Sequence, residues 1–254
     1  MRFDEYLTVN RYFESRNKAK NAIEKGVVFI NGEKILKPSK EIADGENPTI
    51  SIEETETFVS VGGHKLSKAL KDFNFSVCDL VVADIGASTG GFTDCLIQNG
   101  AQKVYAVDLN DELLHPSLKN NGKVVRIIKN ARLLNREDLP DISLITADLS
   151  FISAKQVLPV FYNLLPEKGK VILLIKPQFE MGRKCVFKNG IIKDDKARKD
   201  AVRAVYDVAL ETGFSAVNMT TAPIDKNKNL EFLILLSKNK TTNFDFDALY
   251  KIQK

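Results

Sequence analysis

The stretch that most limits what this chain can fold into is residues 80–92, LVVADIGASTGGF. It opens on an apolar run, Leu80-Val81-Val82-Ala83, that reads as a buried strand. The chain then bends through Asp84-Ile85-Gly86-Ala87-Ser88-Thr89-Gly90-Gly91 and enters a helical pattern over residues 92–99, stopped by Gly100. Glycines at such a bend let the backbone come close to a ligand, because they carry no Cβ. A second strand over residues 103–109 follows at once and carries Asp108 and Leu109 at its end. Strand, glycine-rich turn, helix, strand and acidic tip is how α/β folds hold a nucleoside-containing ligand, the acid reaching the ribose hydroxyls.

The glycine spacing then selects among ligands. A dinucleotide site uses G-x-G-x-x-G, whose glycines admit a pyrophosphate to the helix N-terminus. Here the turn is G-A-S-T-G-G, with Asp84 two residues before the first glycine. An acid at that place suits a positively charged ligand better than a pyrophosphate. S-adenosylmethionine carries a sulfonium and an amino group, and D-x-G-x-x-x-G-G is a common methyltransferase pattern for it. An ordinary turn in a doubly wound sheet and a nucleotide-phosphate site are the other readings of these residues.

Later strands add residues to the same edge. Residues 124–128, 141–148 and 170–175 read as a third, fourth and fifth strand. Asn130 lies just beyond the third, Asp148 ends the fourth, and the fifth hands over Lys176-Pro177-Gln178-Phe179. Ligands of open α/β sheets sit outside the carboxyl ends of the strands, and Asp84, Asp108, Asp148 and Lys176 all fall at such ends. Helices are predicted over 154–165 and 197–211, with a basic, glycine-broken loop from 183 to 199 that contains Cys185. Residues 214–219 and 230–236 form a closing pair of strands, the second opened by Glu231. The residues after Ser237 read as a polar tail.

The first part of the chain behaves as a separate small module. Ser15 is placed to cap a helix over residues 16–25 that Gly26 stops, with Ala19, Ala22 and Ile23 on one face. Residues 27–30 and 34–36 are strands joined by an Asn31-Gly32 hairpin turn, and a further strand covers 49–52. Charge is segregated: residues 1–40 hold nine Lys/Arg against five Asp/Glu, whereas 41–56 hold six acids and no base. A basic helix face beside a hairpin can follow a phosphate backbone, although by charge alone a solvated face is the safer reading.

Composition excludes several classes. No apolar run approaches the roughly 18 residues of a membrane span, and acids interrupt the N-terminal stretch MRFDEYLTVNRYF where a signal peptide needs an apolar core. Cys78, Cys95 and Cys185 are odd in number, widely spaced and without CxxC, which favours reduced thiols and a cytoplasmic protein without a metal site. The two histidines, His64 and His115, are too few and too distant for a metal centre, and the net charge of +4 mildly supports a polyanionic partner.

Two resemblances sharpen these readings. R-F-D-E-Y-L followed by E-S-R-N-K-A-K-N-A-I-E-K-G-V-V-F-I-N-G-E closely resembles the alpha-L RNA-binding module of ribosomal protein S-four type. By that resemblance Arg16, Lys18 and Lys20 are RNA contacts. G-G-H-K-L, D-I-G-A-S-T-G-G-F-T-D-C, D-L-S-F-I-S, I-K-P-Q-F-E and N-L-E-F-L together resemble the TlyA (hemolysin A) family, over nearly the whole chain. Members pair the alpha-L module with an FtsJ-like ribose 2′-O-methyltransferase domain.

The resemblance implies a Rossmann-like class I methyltransferase fold, an α/β seven-stranded mixed sheet, behind a small N-terminal α+β RNA-binding domain. The boundaries that follow are 1–58 for the RNA-binding domain, 59–64 for a linker, 65–240 for the methyltransferase domain and 241–254 for a tail. It places the family's catalytic K-D-K-E tetrad on Lys65, Asp148, Lys176 and Glu231. The cofactor contacts it supports are Asp84, Gly86, Ala87, Ser88, Thr89, Gly90, Gly91, Asp108, Leu109, Asn130 and Asp148. S-adenosylmethionine is the implied donor and a ribosomal RNA cytidine, in the large and in some cases the small subunit, the acceptor. A lysine acts as base only when neutral, a state that desolvation or a neighbouring cation favours, and two lysines in one cleft fit that need. On this reading Lys176 is the base, Lys65 and Asp148 orient it, and Glu231 supports the substrate side.

Three alternatives stand beside it. A non-catalytic ribosome-assembly factor would use the same RNA-binding module. A membrane-active hemolysin would need a span or a strongly apolar amphipathic helix, which the chain lacks. A methyltransferase acting on exocyclic amines often carries N-P-P-[FY] after the fourth strand, where this chain has D-L-S-F.

Overall fold

The computed structural model describes residues 1–24, 26–43, 45–53, 57–181, 191–192, 194–223, 228–239 and 244–251, in two units, Met1–Thr57 and Phe58–Lys254. In the first unit, α1 (Phe3–Val9) and α2 (Arg16–Glu24) pack on an antiparallel sheet of β1 (Val28–Ile30), β2 (Glu33–Lys34) and β3 (Ile50–Ile52), in the order β2-β1-β3. Ser15 Oγ accepts the Lys18 N–H at 3.3 Å, the capping bond expected of it. Asn31 and Gly32 both have positive φ (52° and 83°), the mirror-image turn whose twist matches its two strands. Phe3, Leu7, Ala19, Ile23 and Val28 are fully buried and form this unit's core.

The core also encloses Asp4, whose carboxylate takes hydrogen bonds from the Arg2 guanidinium at 3.0 and 3.1 Å and lies 3.2 Å from Arg16 Nε. These cations, Arg2 first, hold the Asp4 carboxyl down at about 2.

The second unit begins with α3 (Val61–Asp72), β4 (Val81–Ile85), α4 (Gly91–Gln98) and β5 (Lys103–Asp108). The chain continues through α5 (Pro116–Lys119), β6 (Val124–Ile128), β7 (Leu144–Ala147), α6 (Leu158–Leu164), β8 (Lys170–Ile175) and α7 (Pro177–Glu180). It closes with α8 (Asp195–Thr212), β9 (Phe214–Thr221), β10 (Phe232–Lys238) and α9 (Phe246–Lys251). The strands form one seven-stranded sheet, β6-β5-β4-β7-β8-β10-β9. The first five are parallel, and β10 enters antiparallel between β8 and β9. Strand order reverses between β4 and β7, so a crevice opens where their carboxyl ends diverge.

Strands covered on both faces read as continuous apolar runs, and all six residues of VILLI-type β8 except its first are buried. One face carries α3 and α4, through Leu66, Leu70, Phe92 and Leu96. The other carries α6, α8 and α9, through Phe161, Val202, Val205 and Phe246.

Several expected boundaries shift. Residues 61–64, assigned to a linker, form the first turn of α3, because Leu66, Ala69 and Leu70 bind the helix to the core. The expected helix over 154–165 divides into a 3₁₀ turn, Ala154–Gln156, and α6, which starts beside Pro159. The polar tail contains α9, whose Phe246, Leu249 and Tyr250 are buried at helical spacing. Cys185 and most of the basic loop at 183–199 lie outside the described residues; Cys78 and Cys95 are free thiols.

Candidate active site

The glycine-rich turn between β4 and α4 forms one wall of a cavity of about 210 Å³. Gly86, Ala87, Ser88, Thr89 and Gly91 line it, with Ser60, Gly62 and Lys65 from the start of α3 and with Asp148, Ser150 and Lys176 from the ends of β7 and β8. Gly86 has φ +84°, and a Cβ there would stand 2.6 Å from the Asp148 carbonyl oxygen. Gly90, at φ +92°, is the buried residue before α4, where a Cβ would meet Leu118 at 2.2 Å. Both positions therefore require glycine.

Asp108 stands at the tip of β5, next to this turn. Its Oδ2 accepts the Ser88 N–H at 2.8 Å and its Oδ1 the Leu109 N–H at 2.6 Å, which ties the strand end to the turn and leaves further lone pairs for ribose hydroxyls. Leu109 is exposed, and Asn130 accepts the Arg132 N–H at 3.0 Å to cap a short 3₁₀ turn after β6. Neither lines the 210 Å³ cavity.

Asp84 is placed differently from its expected role. Its side chain is fully buried beneath the turn, Oδ2 accepting the Thr93 hydroxyl at 2.6 Å and Oδ1 the Thr146 hydroxyl at 3.0 Å. Burial pushes this carboxyl up to about 7, against the two hydroxyl bonds. Asp84 joins β4, β7 and α4 under the cavity and does not face a ligand in it.

The four tetrad residues come together as two lysine–carboxylate pairs. Lys176 Nζ lies 2.6 Å from Asp148 Oδ1 and donates to Ser150 Oγ at 2.9 Å. Lys65 Nζ donates to Glu231 Oε2 at 2.6 Å. Topology explains the meeting: β10 runs antiparallel to β8 with Phe232 opposite Ile175, so the residues just outside that pair, Glu231 and Lys176, share the sheet edge. The side chains are 11% to 22% exposed, enclosed enough to be oriented and open enough to be reached.

A second cavity, of about 580 Å³, lies alongside and is lined by Arg132, Phe151, Lys155, Gln156, Phe179 and Glu180, among others. Phe151 is 92% exposed, adopts φ +65°, and packs its ring 5.4 Å from that of Phe179. Lys176 Nζ sits 5.8 Å from the Phe179 ring centre. Sequence reasoning singled out neither Phe151 nor Ser150. Both lie in D-L-S-F-I-S directly after Asp148, and a large apolar residue between two serines beyond a strand end was the available signal.

The FtsJ-like methyltransferase family model matches residues 58–239. The chain belongs to the FtsJ-like methyltransferase family. An S4 domain model matches residues 1–47, so the FtsJ-like domain follows an S4 domain. S-adenosylmethionine is the donor this family and fold imply. The cavity fits it: a glycine turn that a Cβ would fill, and a strand-tip carboxylate beside it.

The chain is 42% identical to Hemolysin A of Brachyspira hyodysenteriae, over 92% of this chain and 98% of that one. It is 35% identical to the 16S/23S rRNA (cytidine-2′-O)-methyltransferase TlyA of Mycobacterium tuberculosis, over 92% and 89% respectively. A solved structure from Streptococcus thermophilus, 36% identical, superposes with a TM-score of 0.72 over 99% of this chain and 94% of its own. Among the described residues no helix is long and apolar enough to cross a membrane, and no group of three His, Cys, Asp or Glu is placed to hold a metal.

The three cations expected to contact RNA lie on α2 of the S4 domain, and each has an acidic neighbour. Arg16 is bound to buried Asp4, Lys18 to Glu14, and Lys20 stands 3.8 Å from Glu24. Arg16 thus has a task within the unit's own core, which the other two do not.

Proposed function

We propose that this protein transfers a methyl group to the ribose 2′-hydroxyl of a cytidine in ribosomal RNA, that of the large subunit first, in the cytoplasm. The observation that carries the reading is the pair of lysine–carboxylate contacts gathered at the end of the glycine-turn cavity. S-adenosylmethionine supplies a methyl group on a sulfonium, open to in-line attack by an oxygen.

A ribose hydroxyl is a weak nucleophile and needs a base and alignment. Lys176 in its neutral form, its own proton having left to solvent, is the base and receives the hydroxyl proton at Nζ, and Asp148 and Ser150 fix where that nitrogen points. Lys65, held by Glu231, supplies the neighbouring cation and a donor toward the substrate oxygen. The rest is alignment, which converts a bimolecular encounter into a near-unimolecular step. The target nucleotide leaves its stack to bring its ribose here, and the exposed ring of Phe151 offers its base an aromatic face. The S4 domain holds the RNA backbone, with Lys18 and Lys20 as its phosphate contacts and Arg16 sharing that work with its bond to Asp4.

The test is methyl transfer from labelled S-adenosylmethionine to separated small and large subunits, wild type beside Lys176→Ala. Label should appear in ribose and fall by roughly 100-fold or more in the variant, the scale of a lost general base, while cofactor affinity stays within about threefold. Wild-type protein that binds the cofactor but labels neither subunit would sink the reading. Loss of cofactor binding in Lys176→Ala would move Lys176 from the base role to the cofactor site.

A further inference from the structure

The reaction above gives no task to Glu180, a carboxylate whose side chain is only 2% exposed. Enclosing such a group is costly unless its lone pairs are used, and here they are. Oε2 accepts the Ser153 hydroxyl at 2.5 Å, Oε1 accepts the Ala154 N–H at 2.8 Å, and the Lys155 ammonium is 4.0 Å away. Ser153 is in turn fixed, because its Oγ accepts the Lys155 N–H at 3.3 Å as the cap of the 154–156 turn. Both of Glu180's acceptors are thus spent on the segment that leads away from Asp148.

The same segment is held once more from the same helical turn. Four residues before Glu180, Lys176 contacts Asp148 and Ser150. The short helix α7 and Lys176, the residue before it, therefore grip residues 148–154 at two places, one on either side of Phe151. That residue needs it: a β-carbon residue at φ +65° is strained, and a ring 92% exposed gains little burial to offset the strain. Phe179, between the two grips, supports the ring from below at 5.4 Å.

We propose that Glu180 is a positioning residue, whose carboxylate clamps the loop bearing Ser150 and Phe151 to the turn bearing Lys176 and Phe179. The clamp keeps the aromatic face for the nucleobase and the base for the hydroxyl in one fixed geometry; this rests on the 2′-O-methylation reading above. Asp148 and Ser150, which share the cavity wall with the glycine turn, are held by Lys176, and Glu180 holds only Ser153 and Ala154, so losing Glu180 leaves the cofactor side of the cavity in place. A misplacement of about 1 Å in such a set can cost on the order of 100-fold in rate.

The chain has no tryptophan, so Phe151→Trp places a single tryptophan at the platform, which is excited apart from the six tyrosines. In that background Glu180→Ala should lower steady-state anisotropy and Glu180→Gln should restore it, because the amide keeps an acceptor for Ala154 N–H and can donate to Ser153 Oγ. In the wild-type background Glu180→Ala should lower kcat by about tenfold or more and raise KM for RNA severalfold, with cofactor Kd within about twofold, and Glu180→Gln should recover most of the loss. Ser153→Ala should reproduce part of the effect and add little when combined with Glu180→Ala. If Glu180→Ala fails to fold, Glu180→Gln and Ser153→Ala carry the comparison.

Unchanged kcat and anisotropy in the alanine variant, or a glutamine variant no better than alanine, would overturn the clamp. Wild-type protein without methyl transfer would instead overturn the reaction, while the anisotropy series would still decide the clamp.

Discussion

At the scale of single residues, the carboxylates of this protein divide by where they point. Asp148 and Glu231 face lysines in an accessible cleft, whereas Asp84 is turned inward onto Thr93 and Thr146. A carboxyl held at about 7 in the fold and near 4 in the unfolded chain keeps its proton longer when folded. Its contribution to stability is therefore full below pH ~4 and is lost as pH rises through 7, by at most about 4 kcal/mol. Urea unfolding at pH 5 and pH 8 should show wild type losing more stability than Asp84→Asn over that interval, and parallel losses would contradict it.

Asp4 behaves with the opposite sign, its depressed carboxyl supporting the fold above pH ~4 and failing as pH falls toward 2. Arg16 belongs to that support. Arg16→Ala should cost the S4 domain about 1–2 kcal/mol, read by its own unfolding, whereas losing the solvent-exposed pairs of Lys18 and Lys20 should leave that unfolding nearly unchanged.

At the scale of elements, the turn from β4 to α4 was the most legible part of the chain, because its glycines meet a steric demand that nothing else can meet. Gly86→Ala, with its Cβ 2.6 Å from the Asp148 carbonyl, should weaken cofactor binding by about tenfold or more in calorimetry. Unaltered affinity would mean that the turn yields more easily than its geometry implies. The succession of strands along the chain and the closing pair are also legible, from apolar runs ended by charged residues, whereas the order of those strands in the sheet came with the fold.

Other features were not legible, for identifiable reasons. That Asp84 faces inward depends on two threonines, one of them 62 residues away, and no spacing announces it. The helix α9 is only six residues long, and its three buried side chains sit in a polar stretch that gives helical periodicity no room to show. Lys65, Asp148, Lys176 and Glu231 are scattered over 166 residues, so their assembly was read from motif resemblance, and their pairing as Lys65–Glu231 and Lys176–Asp148 came only with the fold. Glu180 sits in I-K-P-Q-F-E four residues after Lys176, and no spacing announces its contacts to Ser153 and Ala154, 27 and 26 residues away.

At the scale of the whole molecule, the proposed reaction divides its labour between two units, the S4 domain finding RNA and the FtsJ-like domain acting on it. Lys18→Ala combined with Lys20→Ala spares the Asp4 core and isolates the electrostatic part of RNA binding. Affinity for ribosomal RNA should drop, and the slope of log affinity against log salt should become shallower by roughly 1.5 for two lost phosphate contacts. An unaltered slope would take these lysines out of the RNA interface.

The insertion of β10 between β8 and β9 has a consequence for how the protein is made. Synthesis proceeds from the N-terminus, so the S4 domain, the glycine turn and Lys176 all leave the ribosome before Glu231 does. Until the last strand slots beside β8, Lys65 has no Glu231 and β8 keeps an open edge. The chain thus emerges able to form its S4 domain first and the proposed catalytic set last, and on that proposal a polypeptide stalled short of residue 231 would carry the address of this protein without its chemistry.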